Sequence, residues 1–346
     1  MGIEIRLADL VADRQVVLDL VRDNLTDEAT VERYEWLYRR NPDGDGKAWI
    51  ASDGANGEPV GIASAYPRLM QVGGEQVTCW NLGEFAVSAS YRSLGPALSL
   101  QRACLGPVLE GRVAFSYDNP NECFLALYRR LGIPVTAHVA RYLKPLRVDR
   151  RLAGWIRSGL IARPLSILGN GLLRLRDVPL RARRSYEIRP HEGPFDSRFT
   201  QLHERVSRRV AVCGGRRAEY LNWRDRENPL HRSQVLTAWH KGEMAGYVVF
   251  NHHRVDGYIT DLSGEELPGL ARELLAATVG PLRRAGAFTV SAWTLEASPL
   301  AAILRGAGFF QVKGYPLVVC TKPGGPLDGL VTQAGNWFVS RGDRDT

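Results

Sequence analysis

The sequence predicts an α/β protein built as two tandem domains. Three observations point there: a duplicated motif, the same order of elements after each copy, and a length of 346 residues, which favours two domains over one. The motif Trp36-(four residues)-Asn41-Pro42 recurs as Trp223-(four residues)-Asn228-Pro229. The copies stand too far apart for a solenoid unit, so they mark a duplicated domain. The domains are expected at 1–145 and 186–325, with a connector at 146–185 and a C-terminal tail at 326–346.

In each half an aromatic, arginine-rich helical segment precedes the Asn-Pro stop. A hairpin follows, because short β-branched and aromatic runs flank a Gly-containing turn. In the first half the runs are Ala48-Trp49-Ile50-Ala51 and Val60-Gly61-Ile62-Ala63; in the second they are Val235–Trp239 and Gly246–Val249. Third and fourth strands are expected near 67–87, then a helix from about 96, a buried strand at Val113–Tyr117 and a helix over 121–131. The second half repeats this with a helix at 268–284, a strand at Phe288–Ala292 and a helix at 298–306. Both last helices run into a glycine, Gly132 and Gly308, the usual helix stop.

Apolar content of 45% and charged content of 24% suit a soluble, well-cored protein. The five cysteines have no CxxC or Cys/His metal spacing, which argues for reduced thiols and no metal. The N-terminus shows no signal-peptide pattern, and no uncharged run reaches the roughly 18 residues of a membrane span, so a cytoplasmic location is expected. The net charge of +8 is concentrated: residues 146–184 hold ten arginines and two aspartates. Leu152, Trp155, Ile156 and Leu160 in that stretch are spaced like one helix face. It reads as a connector whose apolar face packs between the domains, with Pro164, Gly169 and Gly171 breaking the helix early. The alternative is a basic amphipathic helix on an anionic surface. Aromatics are not interleaved there as in single-strand binders, which argues against nucleic acid.

Two segments carry the chemistry. Tyr91-Arg92-Ser93-Leu94-Gly95-Pro96-Ala97 lies between the strand-like Phe85-Ala86-Val87 and a helix-like run. A small-residue turn there leaves backbone N–H groups at a helix N-terminus, where the dipole favours anions. Downstream, Asn121 is followed by Tyr128 on a helix, four residues before Gly132. Together they suggest a phosphate-bearing cofactor beside a phenol.

These residues resemble the GNAT acetyltransferase superfamily, in a tandem two-domain arrangement. The resemblance implies two domains, each a mixed, mostly antiparallel sheet flanked by helices. The family's Arg/Gln-x-x-Gly-x-Gly/Ala turn matches Arg92-Ser93-Leu94-Gly95-Pro96-Ala97, whose N–H groups would hold the pyrophosphate of acetyl-CoA or another acyl-CoA. Pro96 removes one donor, at a position where the first helical turn tolerates it. Phe85, Ala86 and Val87 would line the thioester and pantetheine arm. Tyr128 matches the tyrosine that protonates the departing thiolate; a phenol stays protonated at neutral pH. Its other reading is a tyrosine packed on the sheet. Asn121 would bond the pantetheine arm or the splayed strands, or cap its helix.

Glu84 matches a glutamate that deprotonates the acceptor amine in several relatives; otherwise it is a solvent-facing strand residue. Alternation along a strand keeps Glu84 and Phe85 from lining the same side. His138 and Asp118 are weaker candidate bases. In the second half, Ser263-Gly264-Glu265-Glu266-Leu267-Pro268-Gly269 replaces the anion turn with carboxylates, and Leu304 stands where Tyr128 would. That half therefore reads as a degenerate copy. His252-His253 reads as a surface pair. The tail with Trp337 would cover a cleft, or dock Trp337 and fray beyond it. The expected activity is acetyl transfer to a primary amine of a small molecule or amino sugar. Transfer of another acyl or aminoacyl group, and a non-catalytic CoA sensor or scaffold, are the alternatives.

Overall fold

The computed structural model describes residues 2–92, 94–149, 159–177, 185–265 and 269–344. Its strands are β1 (Ile3–Leu7), β2 (Lys47–Asp53), β3 (Pro59–Val72), β4 (Glu75–Val87), β5 (Phe115–Asp118), β6 (Val135–Pro145), β7 (Glu187–Pro190), β8 (Val212–Gly214), β9 (Gln234–His240), β10 (Glu243–His253), β11 (Asp256–Gly264), β12 (Thr289–Leu295), β13 (Phe310–Thr321) and β14 (Trp337–Phe338). They form one mixed sheet in the order β1-β2-β3-β4-β5-β13-β6-β12-β11-β10-β9-β7, with β8 and β14 off this path. Most pairs are antiparallel; β4–β5, β11–β12 and β14–β8 are parallel.

The order shows an exchange that pattern reading does not reach. The last strand of the first half, β6, pairs with β12 of the second, while β13 of the second pairs with β5 of the first. The two exchanged strands pair with each other at the centre. Each hydrophobic core is therefore completed by the other half. Val318 and Cys320 pack in the first core; Ala140, Tyr142 and Leu146 pack in the second.

The duplicated motif forms a second join. Short helices α1 (Arg14–Asn24) and α2 (Val31–Tyr34) open the first half, and α2 continues into a π-helical turn at Glu35–Arg39. The second copy repeats this as Ala218–Leu221 followed by Asn222–Arg226. Trp36 and Trp223 stack at 4.8 Å, and each indole N–H donates to the other's backbone carbonyl, at 2.7 and 2.8 Å. Buried indoles need such partners, and reciprocal bonding supplies both with one contact.

Three expectations change. The third strand expected near 67 is the far half of the 14-residue β3, which turns into β4 at Gly73-Gly74 (φ 60° and 91°). The tail does not fray after Trp337. It continues to Asp343, whose buried carboxylate pairs with Arg68 and Arg216 and whose carbonyl accepts from Tyr117 at 2.7 Å. The connector helix is not broken: Gly159–Arg176 is continuous through Pro164, Gly169 and Gly171. Gly169 serves there as a contact point, since a Cβ would meet Val148 at 2.7 Å. Leu152, Trp155 and Ile156 lie outside the described residues. No described helix is long and apolar enough to cross a membrane.

Candidate active site

Strands β4 and β5 pair only at Trp80–Ser116 and Asn81–Tyr117 and then diverge. A cavity of about 540 Å³ opens between them. One wall is Leu82 to Val87; the opposite wall is Asp118 to Asn121 with Phe124 and Leu127; Arg92, Ala97 and Gln101 stand at one end, Asn24 and Leu25 at another. Helix α3 (Leu94–Leu109) begins at the Arg92 end, and α4 (Glu122–Arg130) leaves from the β5 side.

A bulge shapes the first wall. Ile62 faces Ala86 and Ser64 faces Gly83, so Ala63 alone opposes Glu84 and Phe85. Glu84 takes φ +43°, in the left-handed region that non-glycine residues avoid. Both residues border the cavity, but their side chains face apart as expected: Glu84 reaches Tyr38 on one face and Phe85 meets Phe124 on the other. Non-glycine residues in this region concentrate at functional sites.

Glu84 is neither solvent-facing nor loosely held. It is buried; one carboxylate oxygen accepts from Arg33 Nη1 and the other from the Tyr38 hydroxyl. Tyr38 also meets Ser64 Oγ at 2.7 Å and accepts from the Tyr66 hydroxyl at 3.3 Å. Burial foremost, then Glu84, raises the Tyr38 and Tyr66 pKa values well above the usual phenolic value, so both phenols stay neutral donors. Arg33 is raised too: its own burial, the largest influence, opposes this, but the Glu84 charge and hydrogen bond together with Tyr66 and Tyr38 outweigh it.

Tyr128 lies one layer behind the cavity surface. Only 1% exposed, it donates its hydroxyl proton to Asp118 Oδ2 at 2.7 Å and accepts from Gln101 Nε2 at 3.2 Å. Burial and then Asp118 raise its pKa well above 10. Asp118 and Gln101 both reach the cavity wall. Asn121 caps α4, its side chain accepting from Phe124 N at 2.9 Å, and it also lines the cavity. The capping reading of Asn121 therefore holds. Phe85 and Phe124 face each other from the two walls with rings 4.4 Å apart.

Arg92 is exposed at the cavity end and bonds the Val87 carbonyl at 3.2 Å. Gly95, Pro96 and Ala97 form the first turn of α3 with Leu94, where N–H groups lack intrahelical partners. A Cβ on Gly95 would meet nothing within 4 Å, so this turn is open to a ligand. Ser93 lies outside the described residues. His138, exposed on β6, is not among the lining residues.

The corresponding place in the second half is filled. Strands β11 and β12 pair at Asp256–Thr289 to Tyr258–Ser291 and then part. The space beyond holds about 10 Å³ and is lined by Leu304, Leu275 and the tail's Ser340. Arg341 of the tail stacks over Tyr258 at 4.3 Å, and Arg216 joins Asp261 to Asp343. Leu270 packs into the turn so closely that a Cβ on Gly264 would overlap it. Glu265 is ion-paired with Arg205; Glu266 to Pro268 lie outside the described residues.

Arg33, Tyr38, Ser64 and Gln101 were not legible as site residues. Arg33 is 51 residues from Glu84, and no spacing rule links them. Gln101 alone had a signal, lying on α3 seven positions after Leu94, two turns along one face. Among the described residues no group of three or more His, Cys, Asp or Glu is placed to hold a metal.

A mixed sheet whose parallel β4–β5 pair splays beside a bulge and a helix N-terminus is the GNAT fold in a tandem arrangement. No family model and no curated protein matches the sequence, so the likeness is one of structure. A GCN5-related N-acetyltransferase from Anabaena variabilis is similar with a TM-score of 0.66 at 12% identity, over 92% of this chain and 72% of that one. Another from Kribbella flavida has a TM-score of 0.56 at 18% identity, over 92% and 71%. The Saccharomyces cerevisiae N-myristoyltransferase, with myristoyl-CoA bound, has a TM-score of 0.59 at 14% identity, over 93% and 84%.

Proposed function

We propose that the protein is a CoA-dependent N-acyltransferase with one working site, in the first half. The observation that carries this is the cavity of about 540 Å³ where β4 and β5 splay at the Glu84 bulge, beside the N-terminus of α3. The acyl-CoA pyrophosphate sits on the Arg92–Ala97 turn, where Arg92 supplies charge and the helix start supplies N–H groups. The pantetheine and thioester run along Phe85, Ala86 and Val87, whose splayed backbone polarises the carbonyl. Asn121 and Phe124 close the other side.

The acceptor is a neutral primary amine of a small molecule or amino sugar, entering from the Asn24–Leu25 end. Its nitrogen forms a bond to the thioester carbon, the carbon–sulfur bond breaks, and the amide and CoA thiolate result. The ammonium proton leaves through water, because both Glu84 oxygens are engaged by Arg33 and Tyr38. Glu84 holds the bulge in shape. Tyr128 supplies the thiolate proton, exchanging its bond to Asp118 for the sulfur, and takes a proton back from solvent water. Its raised pKa keeps it protonated up to strongly basic pH.

Calorimetric titration with acetyl-CoA and CoA tests the cofactor reading; absence of heat at millimolar ligand sinks it. A donor screen with acetyl-, longer-chain and aminoacyl donors decides among transfer chemistries. A CoA-sensing protein would bind the cofactor and transfer nothing in that screen.

A further inference from the structure

The helix Gly159–Arg176, here α5, leaves a leucine stripe in solvent. Leu165, Leu168, Leu172 and Leu175 are 41%, 62%, 60% and 67% exposed, and Ile167 is 74% exposed. Spacings of three, four and three residues put the leucines on one face, over about 15 Å of helix at ~1.5 Å per residue. The face expected to pack between the domains, at Leu152, Trp155, Ile156 and Leu160, is a different one, and its side chains lie outside the described residues.

The helix is clamped, so the exposure is imposed. Asn170 accepts from Val148 N at 3.0 Å and donates to Asp149 at 2.5 Å. At its C-terminal end Asp177, buried, pairs with Lys144 at 2.6 Å and Arg283 at 2.8 Å. The Gly169 contact with Val148 lies on this same inner side. These three anchors turn the leucines outward.

Charge names the occupant. The helix holds Arg163, Arg174 and Arg176 and no acidic residue. Both aspartates of the 146–184 stretch are used internally, Asp149 by Arg147 and Asn170, and Asp177 by Lys144 and Arg283. An apolar stripe with cationic residues and no carboxylate is complementary to an anionic lipid surface. No described helix, this one included, is long and apolar enough to span one.

We propose that this helix docks the protein on anionic phospholipid bilayers, leucines in the headgroup region, with the net positive charge of the segment drawn to the lipid phosphates. The test is co-sedimentation of the full chain, without acyl-CoA, with phosphatidylcholine vesicles and with phosphatidylcholine–phosphatidylglycerol vesicles. Binding is expected only to the second set and to weaken with salt. The Leu168→Ser/Leu172→Ser/Leu175→Ser variant should bind on the order of a hundredfold more weakly, with unchanged thermal stability, because these side chains are already exposed. No sedimentation with the phosphatidylglycerol vesicles, or equal sedimentation of variant and parent, overturns the proposal. So does a dimer in sedimentation velocity that the same variant abolishes, which would make a second copy the occupant.

Discussion

Replacing Glu84 by glutamine separates two roles for that residue. The Arg33 and Glu84 side chains are 8% and 5% exposed, so water screens neither charge. Glutamine keeps the shape and can still accept from Tyr38, but the Arg33 guanidinium loses its counter-charge. Breaking one partner of a buried pair costs about 3–5 kcal/mol. At ~2.1 cal/mol/K of unfolding entropy per residue, a chain of 346 residues would lose about 4–7 °C of melting temperature. Arg33→Met should cost a similar amount, leaving the carboxylate bare. The double variant Arg33→Met/Glu84→Gln removes both charges and should recover most of the loss. Calorimetric melting of the four proteins measures the coupling directly. If Glu84→Gln melts like the parent while turnover falls, Glu84 acts on the substrate and the reasoning from Arg33 is refuted.

Three further outcomes are expected. Gly95→Asp adds an anion where the pyrophosphate is proposed, in space open to a side chain; acetyl-CoA binding by calorimetry should weaken by tenfold or more with no change in melting. Tyr128→Phe should lower kcat by on the order of a hundredfold and stability by about 1–3 kcal/mol, since Asp118 and Gln101 each lose a partner; unchanged kcat would remove Tyr128 from the chemistry. His203 is buried, and burial foremost, then Arg216 and Arg68, lowers its pKa to about 3. The unfolded chain then binds the extra proton first, so this contribution is full above the unfolded pKa of ~6.5 and is lost as pH falls toward about 3. Urea unfolding of His203→Leu between pH 7 and pH 4 should show a flatter acid slope than the parent.

The duplication, the strand–turn–helix at Arg92 and the tyrosine before Gly132 are local patterns, and each was legible because its residues are neighbours in sequence. Leu304 and the acidic turn at Glu265 likewise marked the second copy as altered, by comparison within the chain. The bulge was not legible, because Glu84 and Phe85 look like ordinary strand residues; only the register of β3 against β4 reveals the extra one. The partners of Glu84 were hidden for a similar reason, since Arg33 and Tyr38 arrive from a different element.

By itself the sequence determined which elements form and where the small-residue turn opens a helix, because hydrophobic period, turn chemistry and helix starts act over a few residues. Tertiary structure alone decided that the two halves exchange their last strands, that Trp36 and Trp223 lock the copies together, and that the tail fills the second cleft. These contacts join residues up to 275 positions apart, as between Arg68 and Asp343. Their energy lies in burial and pairing across the assembled core, and no local pattern encodes which distant partner a buried charge or strand edge will find.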